Sequence, residues 1–261
     1  MTTRVNSLQE MTRKLGLLWR SVARLLQDRS ALRRNLGHLR RSYRAGGLHH
    51  LKGALLTIPP KVEPESWTFY QHLLTTTVLP RIRDQIALQG APVLISIVVP
   101  TYNTNPTMLK EMLDSVQNQL YPNWELCIAD DCSTAPHVRT ILQAYAAKDP
   151  RIKLHFAKEN KGVAFASNQA ISMATGAFVV LLDHDDLLEP QAIFRAAEAV
   201  IHNDADMVYS DEVMMSADRK KLLYHAHRPA FSPEYLRGHP YIVHMVGFRT
   251  QLLRDIGGFD E

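Results

Sequence analysis

The chain has 261 residues, a formal net charge of +4 and an ordinary apolar content of 46%. The charge is unevenly spread: residues 1–58 hold 12 Lys or Arg against 2 Asp or Glu, whereas residues 59–261 hold 18 against 24. Two cysteines and no apolar run near the ~18 residues of a spanning helix argue against a disulfide-built secreted protein and a membrane-spanning one. A signal peptide is not expected either.

Residues 1–58 form a basic arm with a heptad pattern between residues 8 and 43. Apolar residues recur at two heptad positions, and one outer position carries Arg13, Arg20, Arg34 and Arg41. This pattern predicts one long amphipathic helix. A helix on an anionic membrane surface, a coiled coil and a helix packed on its own domain all stay open. Nucleic-acid binding is not expected, because the arm has no aromatic interleaving and no known binding motif.

A helical linker region over residues 59–92 precedes a regular alternation of strands and helices. Strands are predicted at residues 94–99, 124–129, 152–157, 178–182 and 206–209. Helices are predicted at about residues 67–88, 107–119, 136–147, 164–173 and 190–202. From residue 93 to residue 261 this order predicts an α/β domain with a mostly parallel sheet, whose strand ends meet at one edge.

The fourth predicted strand is followed at once by three carboxylates, Asp183, Asp185 and Asp186. Like charges beside a buried strand repel each other and are costly to desolvate. A divalent cation would offset that cost, and oxygen ligands suit Mg²⁺ or Mn²⁺. The alternative is a solvated acidic turn before a helix that Glu189-Pro190 would open. Both interpretations are open from this segment alone.

Polar residues also follow the first two strands. Tyr102 and Asn103 follow the first strand, where they would stack on a base and bond to it. Asp130 and Asp131 follow the second, where a carboxylate accepts from a base or a ribose hydroxyl. The alternative for the second set is helix capping by Asp131 or Ser133.

After the third strand, Asn160-Lys161-Gly162 opens a helix. Glycine there allows close backbone approach, and Lys161 would meet a phosphate. The Gly-x-Gly-x-x-Gly and Walker signatures are missing, which argues against a nicotinamide cofactor and a P-loop ATPase.

Two further features have ordinary interpretations. The histidines at positions 225, 227, 239 and 244 fall in a loop-like region and are interpreted as exposed or core residues, since His-x-His needs a third ligand. Cys127 lies in a predicted strand and is expected to be a buried thiol.

Taken in order, these segments resemble the family two glycosyltransferases of the GT-A fold. The resemblance is carried by residues 98–103, 130–133, 160–162 and 182–186, and downstream by residues 209–212, 229–233 and 257–260. The downstream stretches are similar to the bacterial branch that builds O-antigens and other surface glycans. The resemblance covers about residues 93–261.

The resemblance implies a nucleoside-diphosphate-sugar donor and a divalent metal. It implies a donor site made of Pro100, Tyr102, Asn103, Asp130, Asp131, Lys161, Gly162, Asn168 and Asp183. It implies Mg²⁺ or Mn²⁺ held by Asp183 and Asp185. The family often has an arginine before the asparagine of the third helix, where this chain has Ser167, so one phosphate-facing cation is expected to be missing.

The resemblance further implies inverting sugar transfer to a glycan or lipid-linked acceptor. The family's general base follows the Gly-Gly-Phe-Asp turn, and this sequence stops at Glu261, so no catalytic residue is assigned and little turnover is expected of these residues. The alternatives are a donor-binding partner without catalysis and a sugar nucleotidyltransferase. The expected location is the cytoplasm, at the inner membrane if the arm binds it.

Overall fold

A computed structural model describes residues 40, 43, 44, 64–216 and 221–261. The chain divides into two units: one comprises residues 67–212 and 226–261, and the other residues 1–66 and 213–225. The heptad region predicted over residues 8–43 lies almost wholly outside the described residues. The division at residues 58 and 92 therefore stays a prediction.

Strands and helices alternate between residues 95 and 209, after an N-terminal helical segment. That segment comprises α1 (Pro64–Leu73), a π-helical stretch (Leu74–Val78) and α2 (Leu79–Gln89). The strands are β1 (Ile95–Thr101), β2 (Trp124–Asp130), β3 (Ile152–Phe156), β4 (Phe178–Leu181), β5 (Met207–Tyr209), β6 (Glu212–Met215), β7 (Leu222–Ala226) and β8 (Val246–Arg249). The other helices are α3 (Pro106–Gln117), α4 (Pro136–Ala146), α5 (Val163–Ser172), α6 (Ala192–Asn203), α7 (Pro233–Gly238) and α8 (Thr250–Asp255).

Six strands form one sheet in the order β3-β2-β1-β4-β8-β5. Strands β1 to β4 are parallel, whereas β8 runs antiparallel to both β4 and β5. The mostly parallel α/β sheet predicted from the sequence is confirmed. Strands β6 and β7 pair separately as a two-stranded sheet.

The central strands are buried on both faces, as their apolar runs predict. One face packs against α3, α4 and α6 around large side chains such as Trp124 and Phe178. The other face packs against α5 and α8 through smaller residues, including Ala166 and Ala170. Cys127 lies in this second cluster, and burial raises the pKa of its thiol to about 12. The prediction of a buried thiol is confirmed.

The buried carboxylate of Glu125 links neighbouring strands at the amino edge of the sheet. Ser96 Oγ donates to Glu125 Oε1 at 2.6 Å, and Lys153 Nζ lies 2.6 Å from Oε2. The backbone N–H and the hydroxyl of Thr175 also donate, at 2.5 and 2.9 Å. Burial raises the pKa of Glu125, but these donors together outweigh it and lower that pKa to about 2.

Five predicted strands and the helices between them are confirmed, with ends that differ by a few residues. Strands β6 to β8 and helices α7 and α8 were not predicted, because they are short and have little apolar periodicity. Within the part of the chain that the structure describes, the helices are too short or too polar to cross a bilayer.

Candidate functional site

The predicted site residues gather at the carboxyl edge of the sheet. Strands β1, β2 and β4 end there side by side, because they are parallel and in register. Strand β8 begins there instead, since it is antiparallel: Val246 pairs with Leu181 at the end of β4. The edge therefore collects the residues that follow the four parallel strands, β3 included, and those that precede β8. This is where open α/β sheets bind their ligands.

Asp183, Asp186 and His244 converge at the end of β4. His244 Nδ1 lies 3.4 Å from Asp186 Oδ2 and 3.8 Å from Asp183 Oδ2. One ligand atom from each residue lies within 4.8 Å of the other two. The two carboxylate oxygens suit Mg²⁺ or Mn²⁺, and an imidazole nitrogen is a ligand for divalent transition metals, so these residues fit a divalent cation.

Charge crowding at this group is concentrated on Asp186. Burial raises the pKa of Asp186, His244 opposes that rise, and the carboxylates of Asp183, Asp185 and Glu212 add to it. A cation bound among these groups would relieve both the repulsion and the desolvation cost. The carboxylates of Asp183, Asp185 and Asp186 do not cap the following helix, since α6 begins only at Ala192.

Asp185 lies outside the converging group. Its Oδ1 is 3.7 Å from His184 Nδ1, and its side chain is half exposed. The structure therefore places Asp186 and His244, and not Asp185, beside Asp183. The sequence predicts only an ordinary exposed or core histidine at position 244, because 58 residues separate it from Asp186 and only the antiparallel β8 brings the two together.

Asp131 holds the loop that opens α5. Its carboxylate accepts from the backbone N–H of Lys161 at 2.9 Å and of Gly162 at 2.7 Å. Asn160 Nδ2 donates to the Asp131 carbonyl oxygen at 3.2 Å. Gly162 has a φ of 95°, which favours glycine. We call residues 160–162 the donor loop. Capping of the helix after β2 was the other interpretation of Asp131, but α4 has no side-chain cap, and the Asp131 carboxylate bonds to the donor loop instead.

Lys161 and Tyr102 are both exposed at this half of the edge. Lys161 Nζ lies 5.0 Å from the centre of the Phe165 ring, so it stays close to the donor loop. Tyr102 follows β1 and is 44% exposed, which leaves its ring available for stacking. Pro100, also predicted to line the site, is half-buried within β1.

Asp130 and Asn103 are bonded to neighbouring protein groups. Asp130 is buried, and its carboxylate accepts from the backbone N–H of Ser133 at 3.1 Å and also from the Ser133 hydroxyl. Asn103 has a φ of 49°, and its Oδ1 accepts from the N–H groups of Thr134 and Ala135, both at 2.9 Å. Asn103 thus ties the end of β1 to the start of α4.

Asn168, the remaining predicted donor residue, faces the C-terminal turn. Its Oδ1 accepts from the Phe259 N–H at 2.9 Å. Its Nδ2 donates to the Phe259 carbonyl oxygen and to Glu261 Oε1, both at 2.9 Å. Both ends of the amide are therefore bonded within the protein.

The family model described as "Glycosyl transferase family 2" matches residues 96–256. This range contains the whole six-stranded sheet except the first residue of β1. The chain belongs to glycosyl transferase family 2. The resemblance read from the sequence is confirmed by this match.

Named relatives of this family 2 domain come from several bacteria. It is 45% identical to protein y4gI of Sinorhizobium fredii over 67% of this chain and 19% of that protein. It is 33% identical to the O-antigen biosynthesis protein RfbC of Myxococcus xanthus over 69% of this chain and 14% of RfbC. It is 33% identical to the E. coli UDP-Glc:alpha-D-GlcNAc-diphosphoundecaprenol beta-1,3-glucosyltransferase WfgD, over 45% of each chain. The chain thus spans less than half the length of each of these three relatives.

A solved structure confirms the fold of this family 2 domain. Residues 1–349 of S. aureus TarS, in complex with UDP-GlcNAc, match with a TM-score of 0.52 and 23% identity, over 64% of this chain and 48% of TarS. At this identity the likeness shows the GT-A fold alone. The GT-A architecture predicted from the sequence is therefore confirmed.

Proposed function

We propose that this domain transfers a sugar from a nucleoside-diphosphate sugar to a glycan or lipid-linked acceptor in cell-surface polysaccharide synthesis. One observation carries the proposal: Asp183, Asp186 and His244 converge at the same sheet edge as the donor loop. A diphosphate leaving group needs positive charge around it, and the edge offers a cation-binding group and Lys161.

The nucleoside is proposed to lie at the ends of β1 and β2. Tyr102 has an exposed ring that would stack on the base, and Asp130 has further acceptor capacity beyond its bonds to Ser133. Asp131 is proposed to act on the donor indirectly, because its carboxylate holds the donor loop through two backbone N–H groups.

Mg²⁺ or Mn²⁺ is proposed to bind at Asp183, Asp186 and His244, the donor set that fits it. When bound, the ion would stabilise the negative charge of the departing nucleoside diphosphate. Lys161 would add a positive charge from the donor loop. Ser167 stands where the family often has arginine, so Lys161 is proposed as the cation on that side.

Transfer is proposed to be a single inverting displacement. An acceptor hydroxyl attacks the anomeric carbon, the bond to the nucleoside diphosphate breaks, and a base takes the hydroxyl proton. The described residues bind and orient the donor, and we assign the base to none of them.

The acceptor class is supported by the relatives. The name of RfbC places it in O-antigen biosynthesis, and that of WfgD gives a sugar on a diphosphoundecaprenol lipid as its acceptor. Since this chain covers only part of either protein, a glycan or lipid-linked acceptor is a proposal for this chain.

We expect Tyr102→Ala and Asp130→Asn to weaken nucleotide binding whatever sugar the donor carries. Loss of a stacking ring costs about 1–3 kcal/mol, so the affinity for free UDP or dTDP should fall roughly 5- to 150-fold for Tyr102→Ala. Calorimetry with UDP and with dTDP measures this. Val163→Ala, a change at an exposed apolar residue of the same edge, is the matched control. Unchanged affinity in both site variants would place the pocket elsewhere.

The basic arm is proposed to hold the domain on an anionic membrane. Each Lys or Arg near such a surface contributes about 1 kcal/mol, and residues 1–58 carry a net charge of +10. We expect the full chain to co-sediment with phosphatidylglycerol vesicles, to be released at high salt, and to lose binding when Arg13, Arg20, Arg34 and Arg41 become Gln. Vesicle binding that is unaffected by salt and by these four substitutions would contradict a role at the membrane surface. A coiled coil or a helix docked on the domain would then be the remaining interpretations of the arm.

A further inference from the structure

Helix α8 ends in a glycine turn that is built around positive φ angles. The Gly258 N–H donates to the Leu253 carbonyl oxygen at 2.9 Å and the Gly257 N–H to that of Arg254 at 3.1 Å. This pair of bonds is the Schellman arrangement, and both glycines have a φ of 81°. The chain therefore reverses at residues 257 and 258 and brings Phe259 alongside α5.

Asn168 closes this turn from α5. Its side-chain amide bonds to both backbone groups of Phe259 and to the carboxylate of Glu261, at 2.9 Å in each case. A Cβ atom on Gly258 would lie 2.4 Å from Asn168 Oδ1, whereas a Cβ on Gly257 would meet nothing within 4 Å. The close approach is thus specific to position 258, where a residue with a Cβ atom would clash with Asn168.

The same helix carries the donor loop at its other end. Gly162 precedes α5 and is held by Asp131, and Asn168 lies six residues further along the helix, about 9 Å at 1.5 Å per residue. Buried packing fixes α5 and α8 to one face of the sheet, and Arg254 Nη2 donates to the Ala174 carbonyl oxygen at 3.1 Å. One rigid helix therefore sets the turn at residues 257–261 relative to the donor loop.

We propose that Asn168 is a positioning residue that fixes the turn at residues 257–261 to the helix of the donor loop, and that it does not bind the donor. Both of its N–H donors and one of its two acceptor positions are used by Phe259 and Glu261, so the amide has no N–H left for a donor phosphate or sugar. The second half of this inference rests on the proposed donor site.

The test compares hydrogen exchange at the turn with nucleotide affinity. In Asn168→Ala the Phe259 amide should exchange about tenfold faster, the effect of losing roughly one hydrogen bond. The Gly258 amide, bonded to Leu253, should change less, and UDP affinity with Mn²⁺ should be unchanged.

The two glycines supply a matched pair. Gly258→Ala should speed exchange at Phe259 more than Gly257→Ala does, and this excess should vanish in the Asn168→Ala background, where the clash is removed. Unchanged Phe259 exchange in Asn168→Ala would overturn the positioning role. A large loss of UDP affinity in that variant, with the fold intact, would make Asn168 a donor ligand. If the unaltered chain does not bind UDP, the proposed donor is refuted, and the exchange result still decides the role of Asn168.

Discussion

Asp183→Asn and Asp186→Asn are expected to abolish the part of UDP binding that depends on Mn²⁺. Each change removes one charged ligand atom from a group whose atoms lie within 4.8 Å of one another. Even partners outside the first ligand sphere of a metal contribute about 10–100-fold in metal affinity, so loss of a direct ligand should cost at least ~100-fold. Titration calorimetry with UDP, in Mn²⁺ and in EDTA, measures the effect.

Asp185→Asn is the comparison that makes this test decisive. The family resemblance assigns the metal to Asp183 and Asp185, whereas the structure brings Asp186 and His244 to Asp183. We therefore expect Asp185→Asn to keep most of the Mn²⁺ dependence and His244→Gln to lose it. The opposite ranking would support the assignment from the resemblance. Equal UDP affinity in Mn²⁺ and EDTA for the unaltered chain would contradict a metal-dependent donor site altogether.

Glu125→Ala is expected to destabilise the domain by about 3 kcal/mol, because buried donors lose a charged acceptor. Its side chain is 7% exposed and accepts from Ser96, Thr175 and Lys153. Urea unfolding followed by circular dichroism gives the change in free energy of unfolding. Glu198→Ala, which removes the more exposed ion pair with Arg195 on α6, is the control and should cost about 0.5 kcal/mol.

The same carboxylate makes stability depend on acid pH. The pKa of Glu125 is lowered from 4.5 to about 2 in the folded chain, so its contribution is complete above pH 4.5 and is lost as the pH falls from 4.5 towards 2. The hydrogen bond from Arg151 lowers the pKa of Asp149 to about 2 as well, so Asp149 acts in the same window. The readout is therefore the difference in the free energy of unfolding between the unaltered chain and Glu125→Gln. This difference should shrink as the pH falls through this window. A difference that does not change with pH would contradict the assignment.

Local sequence patterns were sufficient for the α/β framework. The apolar runs at β1, β2 and β4 are long enough to be recognised, because strands buried on both faces need apolar residues at every position. Strand β8 has only four residues and a glycine at its centre, so its pattern is too short to be distinguished from a loop. Its antiparallel place between β4 and β5 is set by tertiary pairing.

In the candidate site, too, local sequence patterns determine some features and tertiary contacts determine the others. Sequence by itself determined which residues follow the strands, since an acidic or aromatic residue after an apolar run is a local pattern: Tyr102, Asp130, Asp131 and Asp183 all lie at the predicted edge. Only the tertiary structure decided which of them converge and what each one bonds. His244 joins Asp183 and Asp186, and Asn168 bonds to Phe259, through contacts between residues 58 and 91 positions apart. Such partners carry no local periodicity, because chain reversal and strand pairing, and not spacing along the sequence, bring them together.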